Sequence, residues 1–589
     1  MHRAAAVRYP VGQRADRERA GAVAGTLAAA GYETILDRRG VHLLWRRDES
    51  EADPFILADD AGLVLGRLMR RGQSEPMQTG PGLDEAVSAW LKSSGASLLG
   101  EYWGAYLAFL ADRERDRLLI VRDPSGARAC YGCVRDGVRV FATHPADLLA
   151  GVSVDQVRLA GFLCHPRLSL RRTGIAGLEE IAPGEVWSSG REEEGRRQGW
   201  RPLGRISAHT PAEIGAQIKG AVEQAALALT SNRQRVLHRL SGGLDSSIVL
   251  SALAAARRMR GFELICVNEF SAEVPEGDER LLARASAQRL ATELIEMAFT
   301  PAPFSYTSGL ETWTPAPGFA LLNSGALAFI AAMGAHKGAL LTSGQGGDHL
   351  FQRDRTLHLG ADALRRGALN FDLALALARM SGVSVWKLAA NAWRYGRTGA
   401  AFPASAYASP SALSNRDLAL QAIGEHFAHP WLADCNGAPP GEVLRALHIL
   451  EATHYFASSV LDQAFTPAPV LVSQPVMEAC LAAPTYVMAP GVERGLVREA
   501  YANDLPAEVL GRTSKGETTR FFVAQLERQW PALRELLLGG LLVEQEALAA
   551  AHLEAMLAAN RVPDLSASAD LMTCVAAELW LRSLPLQRA

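Results

Sequence analysis

The sequence predicts an α/β protein in two parts: a layered, mainly antiparallel β domain, then a doubly wound parallel sheet flanked by helices. Three observations predict it. At 589 residues the chain is too long for one ordinary core and divides most naturally into parts of about 200 and 380 residues. Short apolar runs broken by turn signals fill the first 150 residues. Beyond residue 205 apolar runs alternate with helical periods, the pattern of a parallel sheet.

In the first part, Val41-His42-Leu43-Leu44-Trp45, Leu118-Leu119-Ile120-Val121 and Val138-Arg139-Val140-Phe141 read as strands. From Gly190 to Gly204 the chain turns Arg/Glu-rich, which interrupts both periodicities and sets a boundary near residue 205. The expected domains are therefore 1–205 and 206–589. In the second, strands are expected at Arg235 to Leu240, Phe262 to Asn268, near Glu293 to Phe299 and at Ala339 to Thr342. Helices are expected from about Ser247 to Arg260 and from Gly277 to Thr292. Such sheets bind ligands beyond the carboxyl ends of their strands. After about residue 360 the chain is Ala/Leu-rich and helical in period, without internal repeats, and either walls a substrate cleft or simply packs.

Composition excludes several classes. The formal charge is −3, from 60 basic and 63 acidic residues, so no basic field gathers nucleic acid. Seven cysteines, few and odd in number, suit a reducing cytoplasm. Cys130 and Cys133 form a single C-x-x-C without a second pair or a histidine at zinc spacing, and read as structural. Met1-His2-Arg3-Ala4 opens no apolar signal region, and no run of about 18 apolar residues occurs, so the reading is a cytoplasmic protein with no intrinsic membrane segment.

Ser241-Gly242-Gly243-Leu244-Asp245-Ser246-Ser247 stands between an expected strand and an expected helix. Two glycines let backbone N–H groups approach an anion, serines add hydroxyl donors and the helix N-terminus adds a favourable dipole. No lysine follows, so this is not the Walker loop. Asp245 within such a loop would repel phosphates unless a cation lies between, and Mg2+ prefers one or two carboxylates plus phosphate oxygens. The second carboxylate is expected at Asp348, in the Gly-rich turn Ser343-Gly344-Gln345-Gly346-Gly347-Asp348-His349.

These two motifs, about 100 residues apart, resemble the synthetase domain of the asparagine synthetase superfamily, whose loop cleaves ATP between the α and β phosphates. Leu496-Val497-Arg498-Glu499-Ala500, Leu505-Pro506 and Arg512-Thr513-Ser514-Lys515-Gly516 extend the likeness, as do Leu99-Gly100-Glu101-Tyr102-Trp103-Gly104-Ala105-Tyr106 and Val121-Arg122-Asp123-Pro124-Ser125-Gly126 in the first part. The resemblance implies a glutaminase-like (Ntn-type) β-sandwich and an ATP-pyrophosphatase-type (PP-loop) adenylating domain. It implies ATP held by Leu240, Ser241, Gly242, Gly243, Asp245, Ser246, Ser247, Val267, Gly344 and Gly346, with Mg2+ on Asp245 and Asp348. Lys515 would contact phosphate and neutralise charge in the transition states.

One departure redirects the substrate. A glutaminase of this type needs a cysteine at the mature N-terminus, but position 2 is His2 and the first cysteine is Cys130. Free ammonia is then not the expected nucleophile. Relatives lacking that cysteine include β-lactam synthetases and lasso peptide cyclases, both of which use an amine within the substrate. His349, Ser473-Gln474-Pro475 and Arg512-Thr513-Ser514-Lys515-Gly516 resemble the lasso cyclases. Gln345 stands where β-lactam synthetases have the tyrosine of a Tyr–Glu dyad, and an amide is no base. Glu451, in Leu450-Glu451-Ala452-Thr453-His454, falls near the dyad acid and is expected to deprotonate or orient the amine, the alternative being a partly exposed helix glutamate. The expected activity is macrolactam formation within a linear core peptide, in which an Asp or Glu side chain is adenylated and joined to the N-terminal amine. A leader peptidase and a leader-binding (RRE) protein are the expected partners. Alternatives are a small-molecule ring-closing synthetase of the β-lactam type, a glutamine-independent amidotransferase, and a scaffold that only binds peptide.

Overall fold

The computed structural model describes residues 2–48, 54–144, 146, 151–190, 194–207, 209–271, 277–298, 314–319, 324–402, 405, 407–433, 435, 437–454, 461, 464–512, 523, 526–558 and 565–586. Two six-stranded antiparallel sheets form its first part. One orders its strands Glu179–Glu180, Tyr131–Arg135, Val138–Ala142, Arg3–Arg8, Val41–Arg46, Glu33–Arg38, and the other Glu194–Gln198, Glu185–Ser189, Arg117–Arg122, Tyr102–Asp112, Gly62–Arg70, Phe55–Leu57.

Strand alternation explains the layering. Ala4, Ala6, Leu43 and Phe141 of one sheet meet Leu65, Phe109, Ile120 and Trp187 of the other in a closed core between them. Ala5, Val7 and Val140 face the other way, onto the helix Arg14–Ala29, while Val64, Tyr106 and Val121 face the helix Pro81–Lys92. Cys130 falls in the core between the sheets and Cys133 in the outer one, so the C-x-x-C pair is split between two layers. Burial pushes the Cys130 thiol up to about 12, the opposite of a reactive thiolate.

Part of the charged run expected to mark a boundary folds into the first part. Its second half forms the edge strand Glu194–Gln198, paired with Glu185–Ser189. Edge position tolerates the charge, since side chains alternate outward to partners such as Arg139 for Glu194 and Glu179 for Arg196. The helix Pro211–Leu229 then starts on a capping box in which Thr210 and Glu213 satisfy each other's backbone N–H.

The second part carries a five-stranded parallel sheet in the order Glu293–Ala298, Glu263–Phe270, Arg235–Arg239, Leu340–Ser343, Thr466–Pro467. The chain winds outward on one side from Arg235–Arg239 and returns on its other side at Leu340–Ser343. The crevice between these two strands is therefore the topological switch point, where α/β sheets place their ligands. No single helix among the described residues is long and apolar enough to cross a membrane.

The two parts interlock. Arg122 donates to Glu180, to the Ile181 carbonyl and to the Gly126 carbonyl, and Asp123 accepts from Ser125, so the Arg122–Gly126 turn is a rigid plug. At Gly126, φ is +69°, and an added Cβ would lie 3.1 Å from Thr453 Cβ on the helix Pro440–Thr453. Residues beyond 526 return to the first part: Leu533, Leu537, Val575 and Trp580 share one core with Ala5, Val7 and Val140.

Trp580 is fully buried, donates from Nε1 to the Thr314 carbonyl at 2.8 Å, and stands 2.4 Å from where a Cβ on Gly174 would lie. Replacing Trp580 by Ala is expected to destabilise the protein by about 3–5 kcal/mol, read from urea unfolding, with the m-value retained.

Candidate active site

The strand Arg235–Arg239 runs into the Ser241 loop, and the loop into the helix Leu244–Arg260. Leu240 N–H donates to the Val267 carbonyl at 2.9 Å and Asn268 Nδ2 to the Leu240 carbonyl at 2.7 Å, which fixes the loop's entrance on the neighbouring strand. Buried His238 bonds Thr342 on one side and the Ser246 carbonyl on the other, each at 2.9 Å. Burial holds it near pKa 4, so it is neutral and ties strand, strand and loop together.

Within the loop Gly242 has φ +83°, and a Cβ there would approach the Glu279 carbonyl to 2.7 Å, so only glycine fits. Ser241 Oγ lies 3.1 Å from Ser246 Oγ and accepts from Gly243 N–H at 3.2 Å. Ser247 Oγ donates to the Gly243 carbonyl and touches Ser286 Oγ at 2.9 Å, so this hydroxyl serves the packing of the loop.

The strand Leu340–Ser343 opens into the glycine turn and the short helix Gly347–Leu350. This turn lies directly against the Ser241 loop. A Cβ on Gly344 would stand 2.4 Å from Ser246 N, and one on Gly347 2.4 Å from Asp245 Cγ. Gly346, with φ +93°, would meet Val472 at 2.4 Å. The glycines thus permit two loops about 100 residues apart in sequence to touch backbone to backbone.

Asp245 and Asp348 come together at one cation that sequence reasoning did not single out. Arg494 Nη1 lies 3.1 Å from Asp245 Oδ2 and 3.1 Å from Asp348 Oδ1, and Arg353 donates to Asp348 at 2.9 Å. Burial would lower the Arg494 guanidinium, but the two aspartates and Glu493 outweigh it and raise it. Arg494 sits two residues before the expected Leu496–Ala500 element, in a loop whose Arg has no motif of its own, and its positive φ of 57° is invisible in sequence. Two carboxylates within reach of one positive atom, where Gly344 and Gly347 let the turn approach the loop, suit Mg2+ and phosphate oxygens.

Glu451 is buried, not partly exposed, at 5% of its surface. Its Oε1 accepts from Tyr407 Oη, and its Oε2 lies 3.4 Å from Arg167 Nη1 and 3.5 Å from His349 Nε2. Desolvation would raise its carboxyl, but bonds to His349 and Tyr407 and the fields of His448 and Arg167 hold it down at about 2. His349 follows Asp348 on the same short helix, so this carboxylate adjoins the aspartate pair. Gln345 is exposed at the tip of the turn and bonds Ser343, and the structure does not bring it to Glu451. Tyr407 occupies that place beside Glu451, and nothing local in the sequence marked it. Lys515 lies outside the described residues. His2, which stands where the resemblance called for a cysteine, is buried and accepts from Asp48 N–H at 2.8 Å.

Residues 217–457 match the asparagine synthase family. No curated protein matches the sequence. Among solved structures, glutamine phosphoribosylpyrophosphate amidotransferase from B. subtilis complexed with ADP and GMP is similar at 12% identity over 58% of this chain and 90% of that one, with a TM-score of 0.21. The structure of the allosteric regulatory enzyme of purine biosynthesis is similar at 12% identity over 51% of this chain and 76% of that one, with a TM-score of 0.19. Superpositions this loose carry no argument about the site.

Because the Glu451 carboxyl is depressed on folding, it stabilises the protein above its unfolded pKa, and that stability is lost as pH falls from about 4.5 towards 2. Glu451→Gln is expected to destabilise at neutral pH by about 3 kcal/mol. The gap between variant and wild type should close on acidification, as measured by urea unfolding at a series of pH values.

Proposed function

We propose that this chain, whose residues 217–457 form an asparagine synthase family domain, is an ATP-dependent amide-bond-forming ligase that closes a macrolactam within a linear peptide. The observation that carries the reading is the meeting of Asp245 and Asp348 at one guanidinium at the switch point of a parallel sheet.

In the proposed reaction a side-chain carboxylate of the peptide attacks the α phosphorus of ATP and pyrophosphate leaves. The peptide's own α-amine then attacks the acyl adenylate and loses a proton, giving the amide and AMP. Asp245 and Asp348 would hold Mg2+, which supplies charge neutralisation between loop, turn and phosphates. The Ser241 loop offers backbone N–H groups and the Ser241 and Ser246 hydroxyls to the leaving group. Lys515 would add positive charge there. Glu451, ionised and buried beside His349 and Tyr407, would orient the amine; held down at about 2 it is a weak base, so the proton released as the amide forms passes to solvent. Holding amine and carbonyl in one cleft is worth about 7 to 11 kcal/mol of barrier in favourable cases.

The peptide substrate rests on the lasso-like features at His349, Ser473-Gln474-Pro475 and Arg512 to Gly516, and on His2 in place of a thiol. A leader peptidase and a leader-binding protein would be separate chains. A second reading is favoured by one contact, the Tyr407–Glu451 bond. It supplies from elsewhere in the chain the Tyr–Glu pair that Gln345 lacks, which suits a small-molecule ring closure of the β-lactam type.

Asp348→Asn and Lys515→Ala are each expected to cut peptide-dependent pyrophosphate and AMP release by about 10²-fold or more, with the thermal melt retained. Unchanged turnover would remove these residues from the site. A panel of linear peptides and amino-acid diacids in the same assay separates the two readings, and loss of one water from a peptide, read by mass spectrometry, decides for the macrolactam.

A further inference from the structure

Between Asp372 and Asp417 the sequence holds no carboxylate side chain, in a chain whose formal charge is −3. The stretch folds as the helix Phe371–Met380 and then the helix Val385–Ala392, which runs on through the π turn Trp393–Arg397, the two segments meeting at 108°. Leu388, Ala392 and Tyr395 on the second segment point inward and are buried. At about 100° per residue the opposite face carries Trp386, Ala389, Ala390 and Trp393.

That i, i+3, i+4, i+7 spacing ordinarily marks the stripe a helix turns to the core. Here it faces solvent. Trp386 is 81% exposed and Trp393 62%, with exposed Ala389 and Ala390 between them, and Phe371 on the preceding segment is 71% exposed. Lys387, Arg394 and Arg397 stand exposed beside the stripe, and none of them makes an ion pair among the described residues.

The chemistry of the occupant follows from this mixture. The exposed indoles and methyls offer of the order of 400 Å2, half of the roughly 800 Å2 per partner that a stable protein interface buries. Indoles with Lys and Arg at their flanks on a helix that lies along the surface match the headgroup level of a bilayer. There the rings sit at the polar–apolar boundary and the cations meet anionic phosphates. We propose that the 371–397 hairpin is a docking surface for an anionic phospholipid membrane, which binds the protein peripherally. This inference does not rest on the reaction proposed above.

The test is co-sedimentation of the full chain with vesicles of phosphatidylglycerol and phosphatidylcholine, against vesicles of phosphatidylcholine alone. The protein is expected to pellet with the anionic vesicles only and to be released by raised salt. The double variant Trp386→Ser/Trp393→Ser, and separately Lys387→Gln/Arg394→Gln/Arg397→Gln, should each lower the bound fraction about tenfold with unchanged thermal melts, as their exposure implies. Wild-type protein that stays in the supernatant overturns the proposal and leaves an acidic protein partner as the occupant. Variants that pellet like the wild type overturn it as well.

Discussion

Two carboxylates held at the mouths of neighbouring parallel strands repel each other unless positive charge stands between them. Asp245 and Asp348 are held in that arrangement by Arg494, equidistant from both. Much of the surrounding structure serves this approach. Glycines at 344 and 347 remove the Cβ atoms that would keep turn and loop apart, and Arg494 itself adopts a left-handed backbone to reach in. His238, kept neutral by burial, ties the two strands behind the loop without adding another charge to the cluster.

A second balance stands beside the first. Burial alone would raise the Glu451 carboxyl, yet His349, Tyr407, His448 and Arg167 surround it with donors and positive potential. The result is a carboxylate kept charged in a low-dielectric place, where it is strongest as a partner for a cation or an ammonium group. Tyr407 in turn stacks on His426 at 5.2 Å, so the ring that bonds Glu451 is fixed from behind.

The parallel sheet and the meeting of the two aspartates were legible in the sequence because each rests on local rules: apolar runs of strand length, glycines where backbones approach, and a carboxylate that needs a counter-charge. The strand Arg235–Arg239 and the helix beginning at Leu244 fall within a few residues of expectation. Arg494 and Tyr407 were not legible, since each acts through a partner that the fold brings from 146 to 249 residues away for Arg494 and 44 for Tyr407. The edge strand at Glu194–Gln198 was hidden for another reason. Its charges carry no apolar alternation, because an edge strand needs only a backbone partner.

The return of the C-terminal helices has a consequence for biogenesis. The helix Arg14–Ala29 follows the strand Arg3–Arg8 closely in sequence and packs on its outer face, whereas the helix Leu565–Ser583, which completes the same core, is hundreds of residues away. Until that helix is made, the places that Val575 and Trp580 fill in this core stay open, although Ala5, Val7 and Val140 already have the helix Arg14–Ala29 against them. The core shared with the C-terminal helices therefore reaches its native packing only once the helix Leu565–Ser583 has been synthesised, while the core between the two sheets needs none of it.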